Sequence, residues 1–344
     1  MRRAVVIKGD GVGPELVEAA MIVMRAIRAD EKIEFDIREG GSEWWMKHGG
    51  DSYLPPETWE AIKRADVVYK APMTTIFGPG TPRSAVIAIR QTFDLYANLR
   101  PVRTIGGIEG PLGYVDMLFV RENTEGLYCG IEFQVDPDTA IALRKITRKS
   151  SERIIRFAFK EAKARGWKTV VVVHKSNVLK LTDGLFLECA RKVAEEFPDI
   201  ELQDYVVDNF AQQLVKNPQR FNYNVIVGPN LYMDVLTDEA GALIGSIGML
   251  YSANIGDNFA MFEPAHGSAP KYKGQYKVNP TAMILSGAWM LDYLGFKELG
   301  KAVFEATEEV ISERKVVTYD LGGSASTLEM AKAIADKAKA KLGL

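Results

Sequence analysis

Three short runs constrain the architecture more than any other feature of the chain: "VDMLFVREN" (115–123), "KTVVVVHKSN" (168–177) and "YNVIVGPN" (223–230). Each places three or four apolar residues in succession, with no polar alternation, and then breaks into charged or amide groups. A strand of that kind is buried on both faces, which requires a covered sheet with helices on either side. "AVVI" at 4–7 and "ADVVYKAP" at 65–72 read the same way, the second ending at Pro72. Between these runs the spacing predicts helices over about Glu15–Arg28, over Ala85–Phe93, and over "SSERIIRFAFKEAKARG" (150–166), with a Ser cap and a Gly stop. From "NPTAMILSGAWMLDYLG" (279–295) onward the chain reads as mostly helical, interrupted at "VVTYDLGGSAS" (316–326). Strands alternating with helices give an α/β fold, and such sheets place ligands at their strand ends. "FQVDPDTAIALRKITRK", 133–149, reads as a polar-ended hairpin or arm.

Composition excludes several classes of function. A formal charge of −2 over 344 residues offers neither a nucleic-acid nor a membrane-surface footprint. The two cysteines, Cys129 and Cys189, stand in no CxxC or Cys/His spacing, which argues against a disulfide framework or a zinc site and suits a reducing cytoplasm. The apolar run after Met-Arg-Arg is too short for a signal peptide, and no run reaches the length of a membrane span.

Two glycine-rich segments and one carboxylate pair carry chemical information. "GDGVGPE" (9–15) follows a strand and precedes a helix, but its spacing is neither G-x-G-x-x-G nor a P-loop. It reads equally as a tight strand-to-helix connection with Pro14 in the first helical turn. "EPAHGSAPKYKGQYKVNP" (263–280) interleaves His266, Lys271 and Tyr272 with small residues, and can bring backbone N–H groups and a cation to a phosphate. In "NLYMDVLTDEAG" (230–241), Asp234 and Asp238 lie one turn apart on a helix face, where like charges repel unless solvent or a cation separates them.

In order along the chain, "GDGVGPE", "RSAVIAIRQTFDLYANLRP", "VRENTEGLY", "HKSNVLKLTDG", "NLYMDVLTDEAG", "FEPAHGSAP" and "KVNPTAMILSGA" resemble the motifs of the metal-dependent β-decarboxylating dehydrogenases. That family comprises the isocitrate, isopropylmalate and homoisocitrate enzymes. The resemblance runs from residue 4 to about 330. It implies a two-domain α/β/α sandwich with a mixed sheet rather than a Rossmann fold. Residues 1–100 plus 260–344 would form the large domain, and 101–259 a small domain carrying the dimer interface and the arm near 133–149. It also implies a homodimer with shared active sites.

The implied site has Asp234 and Asp238 as ligands of Mg²⁺ or Mn²⁺, with Asp208 supplied by the partner subunit. Arg90, Arg100 and Arg121 would grip the carboxylates of a malate core, a task that suits the planar guanidinium fork. Lys175 would act as base at the C2 hydroxyl and Tyr128 as the acid that protonates C3 after hydride transfer and loss of CO₂. Asn177 would stand on the substrate side. Thr75, His266, Gly267, Lys271, Tyr272, Asn279 and Tyr319 would contact the dinucleotide. Lys271-Tyr272 resembles the NADP-using isocitrate enzymes, and Tyr319 matches an NADP-side tyrosine. Gly323, however, stands where an Arg is expected, and "DLGG" resembles the NAD-using isopropylmalate branch. NADP is therefore the first expectation and NAD the second.

Ser84 after Arg83 resembles the isocitrate enzymes, whereas Val86-Ile87 resembles the apolar pair of the isopropylmalate enzymes. The order of expected substrates is isocitrate, then homoisocitrate, then isopropylmalate. Met233 departs from the family's Gly before the first metal aspartate and would crowd the metal loop or fill a neighbouring pocket. A non-catalytic regulatory subunit would have lost residues of this set, all of which are present. A phosphotransferase would need a P-loop lysine, which is absent.

Overall fold

The computed structural model describes residues 1–78 and 80–344, so Pro79 of "TTIFGPGTPRS" lies outside the described residues. Twelve strands occur in chain order: β1 (Arg2–Ile7), β2 (Ile33–Arg38), β3 (Val67–Lys70), β4 (Ala97–Arg103), β5 (Asp116–Glu122), β6 (Glu132–Asp136), β7 (Thr139–Ala142), β8 (Thr169–His174), β9 (Glu201–Val206), β10 (Asn224–Gly228), β11 (Tyr251–Ile255) and β12 (Ala260–Pro264). Ten of them form one sheet in the order β2-β1-β3-β12-β11-β4-β5-β10-β8-β9. Each wing is parallel, while β12, β11, β4 and β5 pair antiparallel through the middle. The mixed sheet is the one expected from the resemblance.

Eleven helices surround the sheet: α1 (Gly13–Ala26), α2 (Ser42–His48), α3 (Pro56–Lys63), α4 (Ala85–Thr92), α5 (Arg148–Arg165), α6 (Thr182–Ala194), α7 (Val207–Lys216), α8 (Asn230–Gly241), α9 (Thr281–Tyr293), α10 (Lys297–Glu313) and α11 (Thr327–Lys341). The uninterrupted apolar runs are β5, β8 and β10, and their apolar side chains are buried on both faces. The remaining pair, β6 and β7, forms an exposed antiparallel ribbon.

Several elements differ from the sequence expectations for identifiable reasons. The helix expected from Ser150 begins at Arg148, capped by Thr147, whose side chain accepts from the Ser150 N–H at 3.3 Å. Glu125 fixes that cap by accepting from the Thr147 backbone and hydroxyl at 2.8 and 2.7 Å. The stop at Gly166, with φ 70°, is as expected. The first helix ends two residues early because Arg28 is left-handed, with φ 56°. Strand β4 was not legible because Pro101 interrupts it. In the sheet β11 pairs only with Ala97–Leu99, so on that side the proline faces no ladder.

The three glycines of "GDGVGPE" pack against other backbone segments. A Cβ at Gly9 would strike the Pro72 carbonyl, and one at Gly11 the Ser268 carbonyl. Between them the Asp10 carboxylate accepts from the backbone N–H groups of Thr74, Glu43 and Ser42 at 2.7, 2.8 and 3.0 Å. The turn therefore staples three loops together, in keeping with the tight-connection reading.

Met233 does not crowd the carboxylates. It is fully buried in the main core, one position round the helix from Asp234, and packs over Gly228 at the end of β10. Met233→Ala is expected to lower the unfolding free energy by roughly 2–5 kcal/mol, the cost of a buried large-to-small change, as read from urea denaturation.

Candidate active site

On one face of the antiparallel centre, apolar side chains give way to a buried polar seam. Register sets Asn254 opposite Asn98, and Asn98 opposite Arg121, so their side chains share that face. Arg100, two residues along β4, points the same way. The Asn254 carbonyl Oδ1 accepts from Arg90 Nε at 2.9 Å, Asn123 Nδ2 at 3.0 Å and Asn98 Nδ2 at 3.1 Å. Its Nδ2 donates to Glu263 Oε1 at 2.7 Å. Asn98 Oδ1 in turn accepts from Arg100 Nε at 3.0 Å. Glu263 is held on its other oxygen by Lys70 Nζ at 2.5 Å. Sequence reasoning missed Lys70, Asn98, Asn254 and Glu263; for Lys70 and Glu263 the signal available was the charge at the end of a buried strand, as in "VVYK" and "MFEP".

Helix α8 brings its carboxylates to this seam. Arg100 Nη1 donates to Asp238 Oδ1 at 2.9 Å, and Arg100 Nη2 lies 3.6 Å from Asp234. Arg121 and the Tyr128 hydroxyl both donate to Asp234. Arg121 also donates to Asn230 at 2.7 and 2.9 Å and lies over the Tyr128 ring at 4.9 Å. Arg90, Arg100, Arg121, Tyr128, Asp234 and Asp238 are thus assembled in one place. A cavity of about 310 Å³ opens there, its wall including Val86, Arg90, Arg100, Asp238, Glu263 and His266.

The electrostatics follow from crowding. Burial alone would raise the Asp234 carboxyl, but Arg121, the Tyr128 hydroxyl and Arg100 outweigh it and hold it below the ordinary carboxylate range. Burial and the neighbouring Asp234 push the Tyr128 hydroxyl up, so it remains protonated at neutral pH. Burial would also raise Glu263, but Lys70 and Arg90 pull it down to about 2.

Other predicted residues lie elsewhere. Lys175, just past β8, pairs with Asp208 in the first turn of α7 at 2.7 Å, and this contact lowers the Asp208 carboxyl. Among the described residues, no hydrogen bond or ion pair of this chain joins that pair to Tyr128, Asp234 or Asp238, and no three His, Cys, Asp or Glu side chains form a metal-ligating group. Asn177 is exposed beyond β8. Ser84 precedes α4 and makes no cap bond with its hydroxyl. Thr75 is exposed, and the contacts of its loop run through Thr74, which bonds Ser268 Oγ at 2.6 Å.

In the glycine-rich segment after β12, His266 Nδ1 lies 2.9 Å from the Gly267 carbonyl, while its buried Nε2 has no partner. Burial lowers the His266 pKa, so the ring is neutral at pH 7. Lys271 is exposed beside Tyr272, whose ring lies 6.2 Å from that of Tyr319. These two tyrosines, with Lys277 and Ser324, border a cavity of about 450 Å³. Asn279 is buried and donates to Asp320 Oδ2 at 2.9 Å. Asp320, also missed in the sequence, accepts from Ser246 and Thr318 at 2.5 and 2.6 Å and anchors the loop carrying Tyr319. At Gly323 a Cβ would land on the Val317 carbonyl, which explains the missing arginine.

A mixed sheet whose centre gathers arginines, a tyrosine and paired carboxylates defines a site for an oxygen-rich, multiply anionic small molecule. The chain belongs to the isocitrate/isopropylmalate dehydrogenase family, whose sequence pattern matches residues 3–334. These are decarboxylating dehydrogenases acting on hydroxy acids. The chain is 42% identical over 337 residues to the 3-isopropylmalate dehydrogenase of Archaeoglobus fulgidus, covering 97% of this chain and 99% of the relative. It is 43% identical over 357 residues to the homoisocitrate dehydrogenase of Methanocaldococcus jannaschii, covering 99% of each. The crystal structure of isocitrate dehydrogenase from Methylococcus capsulatus superposes with a TM-score of 0.93 at 41% identity, over 98% of this chain and all of that one. Three substrate specificities at nearly equal identity define the reaction class and leave the substrate open. No helix among the described residues is long and apolar enough to cross a membrane.

The depressed Glu263 carboxyl has a testable consequence. Its folded pKa lies below the unfolded one, so its contribution to stability is fully present above the unfolded value and is lost as pH falls toward 2. Unfolding free energy measured between pH 5 and pH 2 should fall, and Glu263→Gln should shrink that slope while lowering stability throughout.

Proposed function

We propose that the protein oxidises isocitrate with NADP⁺ and releases 2-oxoglutarate and CO₂, with homoisocitrate as the second reading. The observation that supports this most is that Arg90 and Arg100 line the cavity together with Asp238, while Arg121 and Tyr128 are bound to Asp234 beside it. Three permanent cations fit a tricarboxylate, and the buried network behind Arg90 and Arg100 holds two of them in place before substrate arrives. Ser84, with its hydroxyl free of the helix cap, is the donor for the distal carboxylate of isocitrate. Val86 in the cavity wall favours a longer distal arm and carries the homoisocitrate reading.

Tyr128, kept protonated by burial and Asp234, is the acid that delivers a proton to C3 after CO₂ departs. Lys175, paired with Asp208 in the resting protein, is the base: as the neutral amine, with Asp208 turned to the cation, it takes the C2 hydroxyl proton and becomes the ammonium as hydride leaves C2 for the nicotinamide. Lys175 and Asp208 sit apart from Tyr128 within one chain, so the proposal requires a homodimer in which each subunit lends this pair to the other. Asp234 and Asp238 offer two oxygen ligands for a hard divalent cation and Asp208 from a second copy a third, about half of an octahedral set, the remainder being left to substrate oxygens and water. Bound there, Mg²⁺ or Mn²⁺ would polarise the substrate hydroxyl. Lys271, Tyr272 and Tyr319 supply the cation and phenol donors for a 2′-phosphate.

Initial rates of NADPH or NADH formation with Mg²⁺ and isocitrate, homoisocitrate or isopropylmalate test the reading. The highest kcat/KM is expected for isocitrate with NADP⁺. A clear preference for isopropylmalate would overturn the substrate assignment. Arg100→Ala should abolish turnover with all three acids. For the shared site, Tyr128→Phe and Lys175→Ala are each expected to be inactive, and activity should return when the two are unfolded and refolded together. No recovery on co-refolding would show that one chain supplies both residues.

A further inference from the structure

Directly behind the substrate cleft, on the opposite face of the same strands, lies a second cavity of about 440 Å³, within the usual range for small-molecule sites. Arg100 and Ser252 line the front cavity, and their chain neighbours Pro101 and Tyr251 line the rear one. Successive residues of a strand point to opposite faces, so β4 and β11 form a wall shared by the two cavities at this point. Helices α9 and α10 close the rear cavity from one side and the end of α5, at Arg165, from the other.

The rear wall is aromatic. Trp289 and Phe304 pack edge-to-face against Tyr251, with centroids 5.7 and 6.3 Å away, and Leu285 and Ala288 complete the apolar floor. Its charges are mostly spoken for. Arg103 pairs with Glu308 at 2.8 Å, Arg165 with Glu161 at 3.4 Å and Lys301 with Glu305 at 3.7 Å. Among the described residues this leaves two wall charges outside any ion pair, Asp292 and Lys297, on either side of the α9–α10 turn. One carboxylate and one ammonium at the rim of an aromatic pocket complement a zwitterion with an apolar side chain.

We propose that this rear cavity is an effector site for a free amino acid with a large apolar side chain. The α-ammonium group meets Asp292, the α-carboxylate meets Lys297, and the side chain lies among Leu285, Trp289 and Phe304. Occupancy is felt in the front cavity because the ligand presses on Tyr251 and Pro101, whose neighbours Ser252 and Arg100 belong to the substrate seam.

The test uses L-phenylalanine as probe, with phenylacetate and phenethylamine as versions lacking one charge each. Isothermal titration of the whole protein should show L-phenylalanine binding at least tenfold more tightly than either. Asp292→Asn and Lys297→Gln should each weaken it at least tenfold. With whichever hydroxy acid the parallel assay shows to be turned over, saturating L-phenylalanine should shift KM at least twofold. Absence of binding heat would overturn the proposal, as would phenylacetate or phenethylamine binding as tightly as phenylalanine. Unchanged affinity in both variants would also overturn it. Binding without any change in KM or kcat would overturn the effector role. The titration needs no substrate, so its failure is separable from failure of the proposed activity.

Discussion

The side-chain amide of Asn254 is the joint on which the site hangs. Its single carbonyl oxygen receives hydrogen bonds from α4, from β4 and from the segment after β5, while its NH₂ group holds Glu263 on β12. All of these groups are buried, and each donor left without its acceptor would cost roughly 1–3 kcal/mol. The network therefore tolerates one arrangement, and that arrangement aims Arg90 and Arg100 into the cavity. Orientation is stored in the amides of the sheet centre before any anion arrives.

Charge balance explains why three arginines can stand so close together. Glu263 answers Arg90 and Lys70 from behind, and Asp234 and Asp238 answer Arg121 and Arg100 in front. The rear balance is fixed in the core, whereas Asp238 remains largely exposed. The front carboxylates are thus the ones able to exchange partners, and an arginine released by them is already positioned for an anionic substrate.

How much of this was legible in the sequence depended on the kind of signal. Strands β5, β8 and β10 declared themselves through uninterrupted apolar runs, and the ordered motifs pointed to the right family and a mixed sheet. Strand β4 was hidden by Pro101, whose tolerance depends on where β11 stops pairing. The start of α5 was displaced because Glu125, more than twenty positions upstream, selects Thr147 as the cap. Arg90, Arg100, Arg121, Asp234 and Asp238, picked out by resemblance, meet in space, while Asp208 stands with Lys175 instead, and the polar seam behind the arginines was invisible. Asn98 and Asn254 carry no local signature and acquire meaning only through strand register. Met233 shows the converse: in one dimension it could crowd the metal loop or fill a neighbouring pocket, and helix geometry selects the second by turning it into the core over Gly228.

The fit of Gly323 against the Val317 carbonyl has a consequence for how such a protein diverges. With this backbone, position 323 is closed to every side chain, so no single codon change can install a cation there. A lineage carrying this loop can add a cation beside Tyr272 and Tyr319 only from neighbouring positions such as Lys277 or Ser324, or by re-laying the loop itself. Selection then meets a ratchet: a packing choice made between two segments of one loop narrows the routes by which the charge of the neighbouring cavity can drift.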